Sequence, residues 1–470
     1  MSPRSHACHV WRQVGALAVS LALATGCVAA PGSAPPSPQV TLTVDPDAGQ
    51  WRPIVVADVA RLLPGAPDPT RVPAEVAEVK ARQAGLSPEE RKAVDYWHEQ
   101  PAPVRWSGFA HDLTLEAGLV PPRAARALAI AHAAIYDAVV ATWAAKQAVR
   151  RAPPSVLDPS IKPLVAVDAG IPSFPSEQAA VSYAAAAALG EVLPELRTEL
   201  QQRAETASEA AIAAGTALRS DVEAGRTLGE AVAAEVVSRA RVDGSDARPT
   251  LPLAVQPGQW THASPMEPLA GSWKPWLIGD VATYRLDRPA FPGEPGFQPG
   301  LDQVLAVGRD LTQAQKDIAL KWNLDAPAAQ WNDIIRPLAL ERRLSTPRAA
   351  RLLGYAHVLM ADAFIATWHN KYSILLPRPQ MAAGGFKSFV PTPPHPSYPS
   401  GHSSCSMAAA TYLGAVFPDE RARVTGLADE AAVSRLYGGI HYERDNEDGK
   451  LLGRRIAEAV LVRARADGLP

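Results

Sequence analysis

The sequence predicts an all-α protein built from two pseudo-symmetric helical bundles of the four-helix type, produced by an internal duplication. The first observation is the duplication itself, because a segment that begins near residue 86 recurs near residue 311. The second is that Ala-rich runs such as 179–193 and 349–364 place apolar residues at i, i+3 and i+4, the spacing of one helix face. The third is that the strict apolar–polar alternation of half-buried strands is almost absent.

The composition limits both the architecture and the partners. The 470 residues suffice for two or three domains, and an apolar fraction of 47% argues against disorder. Lys and Arg number 46 and Asp and Glu 48, so the net charge of −2 offers no broad surface for nucleic acid. The presence of only three Cys excludes a disulfide framework, and 45 Pro indicate many sharp breaks in regular structure.

Residues 1–27 have the pattern of an export signal. Two arginines precede an apolar run over 14–24, which is too short to span a bilayer but suits the apolar core of a signal peptide. The LATGC stretch that follows resembles a bacterial lipoprotein cleavage site with Cys27 as the lipidated residue, and an ordinary secretory peptide cut near Ala30 is the alternative. We therefore expect an exported protein, periplasmic or anchored to the bacterial membrane only through lipid on Cys27. A Pro-rich extension over 28–85 is expected to follow.

The two copies align over long stretches of the chain. Residues 86–97 match 311–322, and the offset of 225 holds without a gap as far as Lys146 and Lys371. The match resumes after a slip of one residue, so that the PSFPSEQ segment of the first copy faces the PSYPSGH segment of the second.

These matches predict an N-terminal helical half over 86–244 and a C-terminal helical half over 311–470. The segment between them, 245–310, is rich in Pro, Gly and Trp and is expected to pack as an irregular connecting cover.

The duplication also acts as an internal control on the choice of functional residues. His132 and His357 occupy the same place in both halves, so we expect them to be structural. By contrast, the Gly401-His402 pair of the second half replaces Glu-Gln in the first, and the counterpart of the segment around His441 contains no histidine. The sequence therefore predicts a degenerate site in the N-terminal half and a working site in the C-terminal half.

Three short segments of the second half carry the polar residues of this predicted site. They are Lys371-x6-Arg378-Pro379, Pro399-Ser400-Gly401-His402 and Ser434-Arg435-x5-His441-x3-Asp445. One lysine and two arginines can bind a tetrahedral oxyanion, and a Ser-Gly pair before a helix supplies a hydroxyl and a free amide for the same anion. The two histidines can act as ligand, nucleophile or acid/base, and an Asp four residues after His441 can orient its imidazole on a helix face.

This pattern resembles the superfamily shared by type-2 phosphatidic acid phosphatases and vanadium-dependent haloperoxidases, whose motif is K-x6-RP, PSGH and SR-x5-H-x3-D. The resemblance implies that the site binds phosphate or its analogue vanadate. It implies these roles: neutralisation of the oxyanion by Lys371, Arg378 and Arg435; hydrogen bonds to it from Ser400 and the Gly401 amide; a bond to vanadium, or attack on phosphorus, by His441; acid/base transfer by His402; and orientation of His441 by Asp445.

Several features resemble the haloperoxidase branch, above all the duplicated bundle. Trp368 matches a tryptophan at the haloperoxidase site, and Asp325 matches an aspartate that pairs with the arginine carried here by Arg435. His395 stands where the fungal chloroperoxidase type has Phe and algal bromoperoxidases have His, which favours bromide or iodide. The resemblance implies vanadate as cofactor with no haem and no flavin. It also implies hydrogen peroxide, halide and a small organic acceptor as partners, and it names no oligomeric state.

Two other functions remain open at this level. An exported soluble acid phosphatase or phosphatidic acid phosphatase-type hydrolase would use the same site for phosphate, with a phosphohistidine formed at His441. A non-catalytic oxyanion-binding protein would keep the cations without turnover, which the intact His402 and His441 make the weakest of the three interpretations.

Overall fold

Helices make up the regular structure of the residues that the computed structural model describes, which are 38–466. Within that range the only β-pairing is an isolated bridge between Gln39 and Arg151. The prediction of an all-α, duplicated fold is confirmed. The export signal and Cys27 lie outside the described residues, so their prediction stays as it was made.

Sixteen α-helices follow one another in the described residues. They are α1 (Val72–Ala84), α2 (Pro88–His98), α3 (Ala102–Glu116), α4 (Pro121–Val149), α5 (Pro154–Leu157), α6 (Glu177–Val192), α7 (Arg197–Ala214), α8 (Arg219–Arg241), α9 (Phe297–Arg309), α10 (Gln313–Lys321), α11 (Pro327–Glu341), α12 (Thr346–Ile374), α13 (Pro379–Ala382), α14 (Gly401–Val416), α15 (Arg421–Tyr437) and α16 (Glu443–Ala466). The first eight and the last eight repeat the same order of helix lengths, as a duplication requires.

The two longest helices, α4 and α12, pack against each other at the centre of the described residues. Each has 29 residues and ends at a residue in the left-handed conformation, Arg150 with φ 58° and Leu375 with φ 60°. Both are apolar nearly all round, which is typical of helices buried on every side. The imidazoles of His132 and His357 stack between them with ring centroids 3.9 Å apart.

Each half surrounds its long helix with three more. In the first half α6 and α8 contact α4 and α7 contacts α6, and in the second half α14 and α16 contact α12 and α15 contacts α14. Equivalent glycines allow the closest of these contacts. A Cβ at Gly229 of α8 would lie 2.3 Å from the Ala180 carbonyl oxygen, and one at Gly453 of α16 would lie 2.2 Å from that of Ser404.

The duplication extends further toward the N-terminus of each half than the sequence alignment indicated. The helices α1 and α9 both have 13 residues, and they stand 225 positions apart in segments predicted to be an extension and an irregular cover. Before them, Ala48-Gly49-Gln50-Trp51 and Ala270-Gly271-Ser272-Trp273 form equivalent turns. The structure therefore differs from the prediction, because 28–85 and 245–310 both contain the beginning of a repeat.

Both turns lie directly on the long helices. A Cβ at Gly49 would come within 2.4 Å of the Ala144 nitrogen, and one at Gly271 within 2.3 Å of the His369 nitrogen. The AGQWRP and AGSWKP motifs that form these turns are readable in the sequence, but they stand 222 positions apart rather than 225. This slip of three residues breaks the ungapped alignment.

A buried carboxylate on each long helix holds the chain that follows each turn. Asp137 accepts from the amides of residues 54–56 at 2.6–3.0 Å, and Asp362 accepts from the amides of residues 276–278 at 2.7–3.2 Å. Burial raises the pKa of both carboxyl groups to about 6, against the lowering effect of the backbone amides.

Two stretches, Pro121–Val149 and Thr346–Ala382, are long and apolar enough to cross a membrane by length and composition. Of their most apolar windows, 94% and 100% of the residues are buried inside the protein. They are therefore the core helices of the two bundles.

Candidate oxyanion site

The motif residues of the second half converge where five helices end or begin. Lys371 lies in the last turn of α12, Arg435 in the last turn of α15, and Ser400 is the N-cap of α14. His441 and Asp445 lie at the start of α16, and Arg378 is the N-cap of the short α13. The structure thus brings together side chains that are up to 74 residues apart in the chain, Lys371 to Asp445.

Lys371 is fully buried, with 0% of its surface exposed. Its Nζ donates to the backbone oxygens of Pro396 and Ser397, each at 2.8 Å. Burial and the adjacent charge of Arg378 hold its pKa well below the usual range, and Asp445 opposes this shift. An anion close to Lys371 would favour its charged form and so oppose this lowering of the pKa.

Arg378 is also fully buried and is fixed on three sides. Its Nε donates to the His395 oxygen at 3.0 Å and its Nη1 to the Ile440 oxygen at 2.5 Å. Its Nη2 lies 3.0 Å from His395 Nδ1, and Nη1 lies 3.0 Å from His441 Nε2. Because a guanidinium only donates, His441 Nε2 accepts from Nη1 and the His395 ring accepts from Nη2. Burial lowers the pKa of Arg378 to about 10.

The tautomer of His441 follows from its two partners. Its Nδ1 lies 2.9 Å from Asp445 Oδ2 and donates to that carboxylate. Its Nε2 accepts from Arg378 and therefore keeps a lone pair. Burial and the charges of Arg378 and Lys371 hold the pKa of His441 well below its ordinary value, so the imidazole is neutral. A neutral imidazole with an unprotonated Nε2 is the form needed for a ligand or a nucleophile.

Arg435 is 1% exposed and contacts only neutral acceptors. It donates to Ser434 Oγ at 2.9 Å, to the Ala319 oxygen at 3.1 Å and to Asn323 Oδ1 at 3.2 Å. Burial lowers its pKa to about 9, and the charge of Arg378 adds to the effect.

The pairing of Asp325 with Arg435 that the sequence predicted is not formed in the structure. Among the ion pairs of residues 38–466, none joins these two side chains, and Asn323 occupies the place of the expected carboxylate. The reason is local: α10 ends at Lys321 and Trp322 caps it, so Asn323 is the polar side chain at the end of the helix, beside the Ala319 carbonyl. The KWNLD segment showed both residues, but which one reaches Arg435 depends on how the chain leaves α10.

His402 lies on the first turn of α14 and is partly exposed. Its Nε2 donates to the Trp322 oxygen at 2.8 Å, which leaves Nδ1 as the acceptor. Burial and the charge of Arg435 hold its pKa well below the ordinary value. The short stretch 319–323 therefore positions both Arg435 and His402.

Trp368 and His395 form one wall of the site. The Trp368 ring is 4.9 Å from the His395 ring by centroids, and Lys371 Nζ lies 5.8 Å from the Trp368 centroid. Trp368 Nε1 donates to the Met266 oxygen at 3.3 Å, and a Cβ on Gly401 would lie 3.4 Å from the indole. The Trp368 indole therefore packs against the N-terminus of α14.

The charge balance of the site is its main electrostatic property. Lys371, Arg378 and Arg435 are buried and hydrogen-bond only to neutral acceptors. Among the described residues, Asp445 is the carboxylate that opposes the lowered pKa of both Lys371 and Arg378. Buried charges without partners are costly, so a bound anion would offset the excess of positive charge.

Comparisons with known proteins identify a similar family for part of the chain and a similar fold for most of it. Residues 351–466 match the PAP2 superfamily. No curated protein matches the chain.

Similar folds occur among solved structures. The crystal structure of a protein described as the first bacterial vanadium-dependent iodoperoxidase superposes on this chain with a TM-score of 0.62 at 22% identity. The match covers 81% of this chain and 97% of that chain. A holo-type bacterial vanadium-dependent chloroperoxidase superposes with a TM-score of 0.53 at 14% identity, covering 74% and 93%. An apo-type bacterial vanadium-dependent chloroperoxidase superposes with a TM-score of 0.52 at 14% identity, covering 74% and 94%. Residues 351–466 thus match the PAP2 superfamily, and the chain has the fold of the bacterial vanadium-dependent haloperoxidases.

Proposed function

We propose that the protein is a vanadate-dependent haloperoxidase that uses hydrogen peroxide to oxidise bromide or iodide to hypohalous acid. The observation that carries the proposal is the buried excess of positive charge around the unprotonated Nε2 of His441. The PAP2 match and the haloperoxidase fold support it.

The residues present fit vanadate as a ligand. Three buried cations, the Ser400 hydroxyl and the amides at the N-terminus of α14 suit the oxygens of a tetrahedral oxyanion. His441 Nε2 supplies one nitrogen ligand. Vanadate would supply an electrophilic centre that activates peroxide without a change of oxidation state, so neither haem nor flavin would be required.

Binding of the oxyanion would require one local exchange of partner. Arg378 Nη1 donates to His441 Nε2, and this donor would turn to an oxygen of the anion, which frees the Nε2 lone pair. Lys371 Nζ gives two of its three N–H groups to the carbonyl oxygens of Pro396 and Ser397, so the third is available to the anion without an exchange. Both cations would thereby gain a hydrogen bond to a charged acceptor, which is stronger than one to a neutral group.

His402 is the group that would move protons between the bound oxyanion and the outside. It is partly exposed, it is neutral at ordinary pH, and its Nε2–H is held by the Trp322 oxygen. Its Nδ1 can therefore accept a proton and release it again.

The preference for bromide or iodide is part of the proposal. Its support is His395, whose ring faces Trp368 and accepts from Arg378. The fold similarity to a protein described as an iodoperoxidase, 97% of which is covered, favours the same assignment.

The decisive experiment measures three properties of one preparation. The purified protein is loaded with orthovanadate and assayed for peroxide-dependent oxidation of iodide, bromide and chloride. The vanadate-free protein is assayed for phosphate-ester hydrolysis, and both forms are titrated with the oxyanion. We expect vanadate-dependent oxidation of iodide and bromide. Hydrolysis without halide oxidation at any pH would establish the phosphatase alternative, and oxyanion binding without either activity would establish a binding protein.

We also propose export through residues 1–27 with lipid attached at Cys27. Expression of the wild type and of Cys27→Ser, followed by separation of membrane and soluble fractions, tests this. The wild type should be found with the membrane and the variant in the soluble fraction, and equal release of both would exclude the lipid anchor.

A further inference from the structure

Ser397 lies between the elements that carry the site. It is fully buried in the segment that leads into α14. Its amide donates to the Leu376 oxygen at 2.9 Å, and its carbonyl oxygen accepts from Lys371 Nζ at 2.8 Å. Its hydroxyl donates a short hydrogen bond to Asp445 Oδ2. One residue thus joins the end of α12 to the beginning of α16.

The Asp445 carboxylate, which Ser397 contacts, accepts hydrogen bonds on one of its two oxygens only. Asp445 Oδ2 accepts from Ser397, from His441 Nδ1 at 2.9 Å and from the Tyr442 amide at 3.2 Å. Asp445 Oδ1 is buried and has no hydrogen-bond partner among the described residues. Two of the three donors belong to the start of α16 itself, so Ser397 is the donor that ties this carboxylate to another element.

The rotation of Asp445 sets the direction of His441. If the carboxylate turns about its Cβ–Cγ bond, the acceptor for His441 Nδ1 moves, and the imidazole turns with it. The Nε2 lone pair then no longer points to where Arg378 and the oxyanion meet. A hydroxyl that stops this rotation therefore acts on His441 Nε2 through Asp445, without contacting the imidazole itself.

We propose that Ser397 is a positioning residue for oxyanion binding, whose hydroxyl holds Asp445 so that His441 Nε2 faces the bound anion. The inference rests on the proposed function only in taking vanadate, or phosphate in its place, as the anion. Ser397 does not touch the anion in this scheme, because its hydroxyl is engaged by Asp445 and its carbonyl by Lys371.

The first half provides a matched control. Ser173 is the equivalent residue: its amide donates to the Arg151 oxygen at 2.9 Å, and its carbonyl oxygen accepts from Lys146 Nζ at 3.4 Å. It too is buried, and its hydroxyl donates to the Ala152 oxygen at 3.2 Å. Ala217 stands where the second half has His441, so the loss of this hydroxyl has no imidazole to misdirect.

The test compares oxyanion affinity in the full chain, without reference to turnover. The dissociation constants of orthovanadate and of inorganic phosphate are measured by calorimetric titration for the wild type, Ser397→Ala and Ser173→Ala, together with the melting temperature of each. We expect Ser397→Ala to weaken vanadate binding at least tenfold, and Ser173→Ala to leave it within twofold of the wild type. Ser397→Thr, which keeps the hydroxyl, should recover most of the affinity.

Each contrary result has a separate meaning. Affinity within twofold of the wild type in Ser397→Ala would overturn the positioning role, and so would an equal loss in Ser173→Ala. Failure of the wild type to bind either anion would instead overturn the proposed function. If Ser397→Ala does not fold, Ser397→Cys replaces it, because a thiol of similar size is a much weaker donor and should show the same loss.

Discussion

The two halves bury cations at equivalent ends of their long helices, but they neutralise them differently. In the first half Arg151 is 2% exposed and lies 3.1 Å from Glu75 and 3.3 Å from Asp221. Burial lowers the pKa of Lys146, but Glu177 and Asp221 both oppose the shift. In the second half the three cations contact neutral acceptors, and Asp445 alone plays the opposing part for Lys371.

Few substitutions separate the two arrangements. The second half has Gly300 where the first has Glu75, and Gly401 where the first has Glu177. It gains Arg378 and Arg435 where the first half has Pro153 and Ala211. The comparison teaches that an anion site is made as much by removing carboxylates as by adding cations. In the first half the buried cations are paired with carboxylates. In the second half an excess of positive charge remains, which a bound anion would neutralise.

The largest effect is expected at His441, where the first half has Ala217. His441→Ala removes the Nε2 ligand, and we expect vanadate-dependent halide oxidation to fall below about one thousandth of the wild-type rate. Circular dichroism should show an unchanged helix content, because the first half folds with Ala217 in this place. Activity above that level in a folded variant would contradict the assignment of the ligand.

Breaking the ion pairs of the first half should lower the stability of the protein without changing the oxyanion site of the second half. Arg151→Met leaves Asp221 buried without its ion-pair partner and Glu75 with Arg71 alone, and we expect a loss of about 3–5 kcal/mol in the free energy of unfolding. The matched variant Arg435→Met removes a cation that has no carboxylate partner and should cost much less, while it abolishes tight oxyanion binding. Urea unfolding and vanadate titration of both variants separate the two effects. Equal destabilisation would show that the halves balance their charge in the same way.

The pH dependence of stability tests a feature that the halves share. Burial lowers the pKa of His132, stacked on His357, from 6.5 to about 4. The unfolded state therefore binds more protons between these values, so stability is present above pH 6.5 and is lost as the pH falls through about 4. The contribution is roughly 3 kcal/mol at the limit. Urea unfolding at pH 7 and pH 4.5 should show a smaller acid loss for His132→Gln than for the wild type, and identical losses would refute the linkage.

The smallest effect is expected from giving one buried cation of the second half a carboxylate partner, as the cations of the first half have. Asn323→Asp places a carboxylate against Arg435, which returns a partner to a cation that lacks one. We expect vanadate affinity to fall roughly 10- to 100-fold, with the fold and the His441 geometry retained. Asp325→Asn is the control, because Asp325 forms no ion pair with Arg435 in the described residues and should leave affinity unchanged. An effect of Asp325→Asn as large as that of Asn323→Asp would restore the pairing that the sequence predicted.

Prediction from the sequence succeeded where the information was local or repeated. Helical spacing is set by neighbouring residues, so the fold class could be read directly. The motif spacing named residues that the structure places together, from Lys371 to Asp445. The start of each repeat was missed because AGQWRP and AGSWKP lie out of frame with the rest of the alignment.

The sequence by itself determined the helical class, the duplication and the half in which the charged motif stands. Only the tertiary structure decided which of those charges are neutralised, because Glu75 reaches Arg151 across 76 positions of the chain and Arg435 finds Asn323 across 112. It also decided that His441 keeps its lone pair on Nε2, since that depends on Asp445 and Arg378 meeting the ring from opposite sides. Charge compensation and tautomer depend on partners in space, which periodicity and spacing along the chain do not contain.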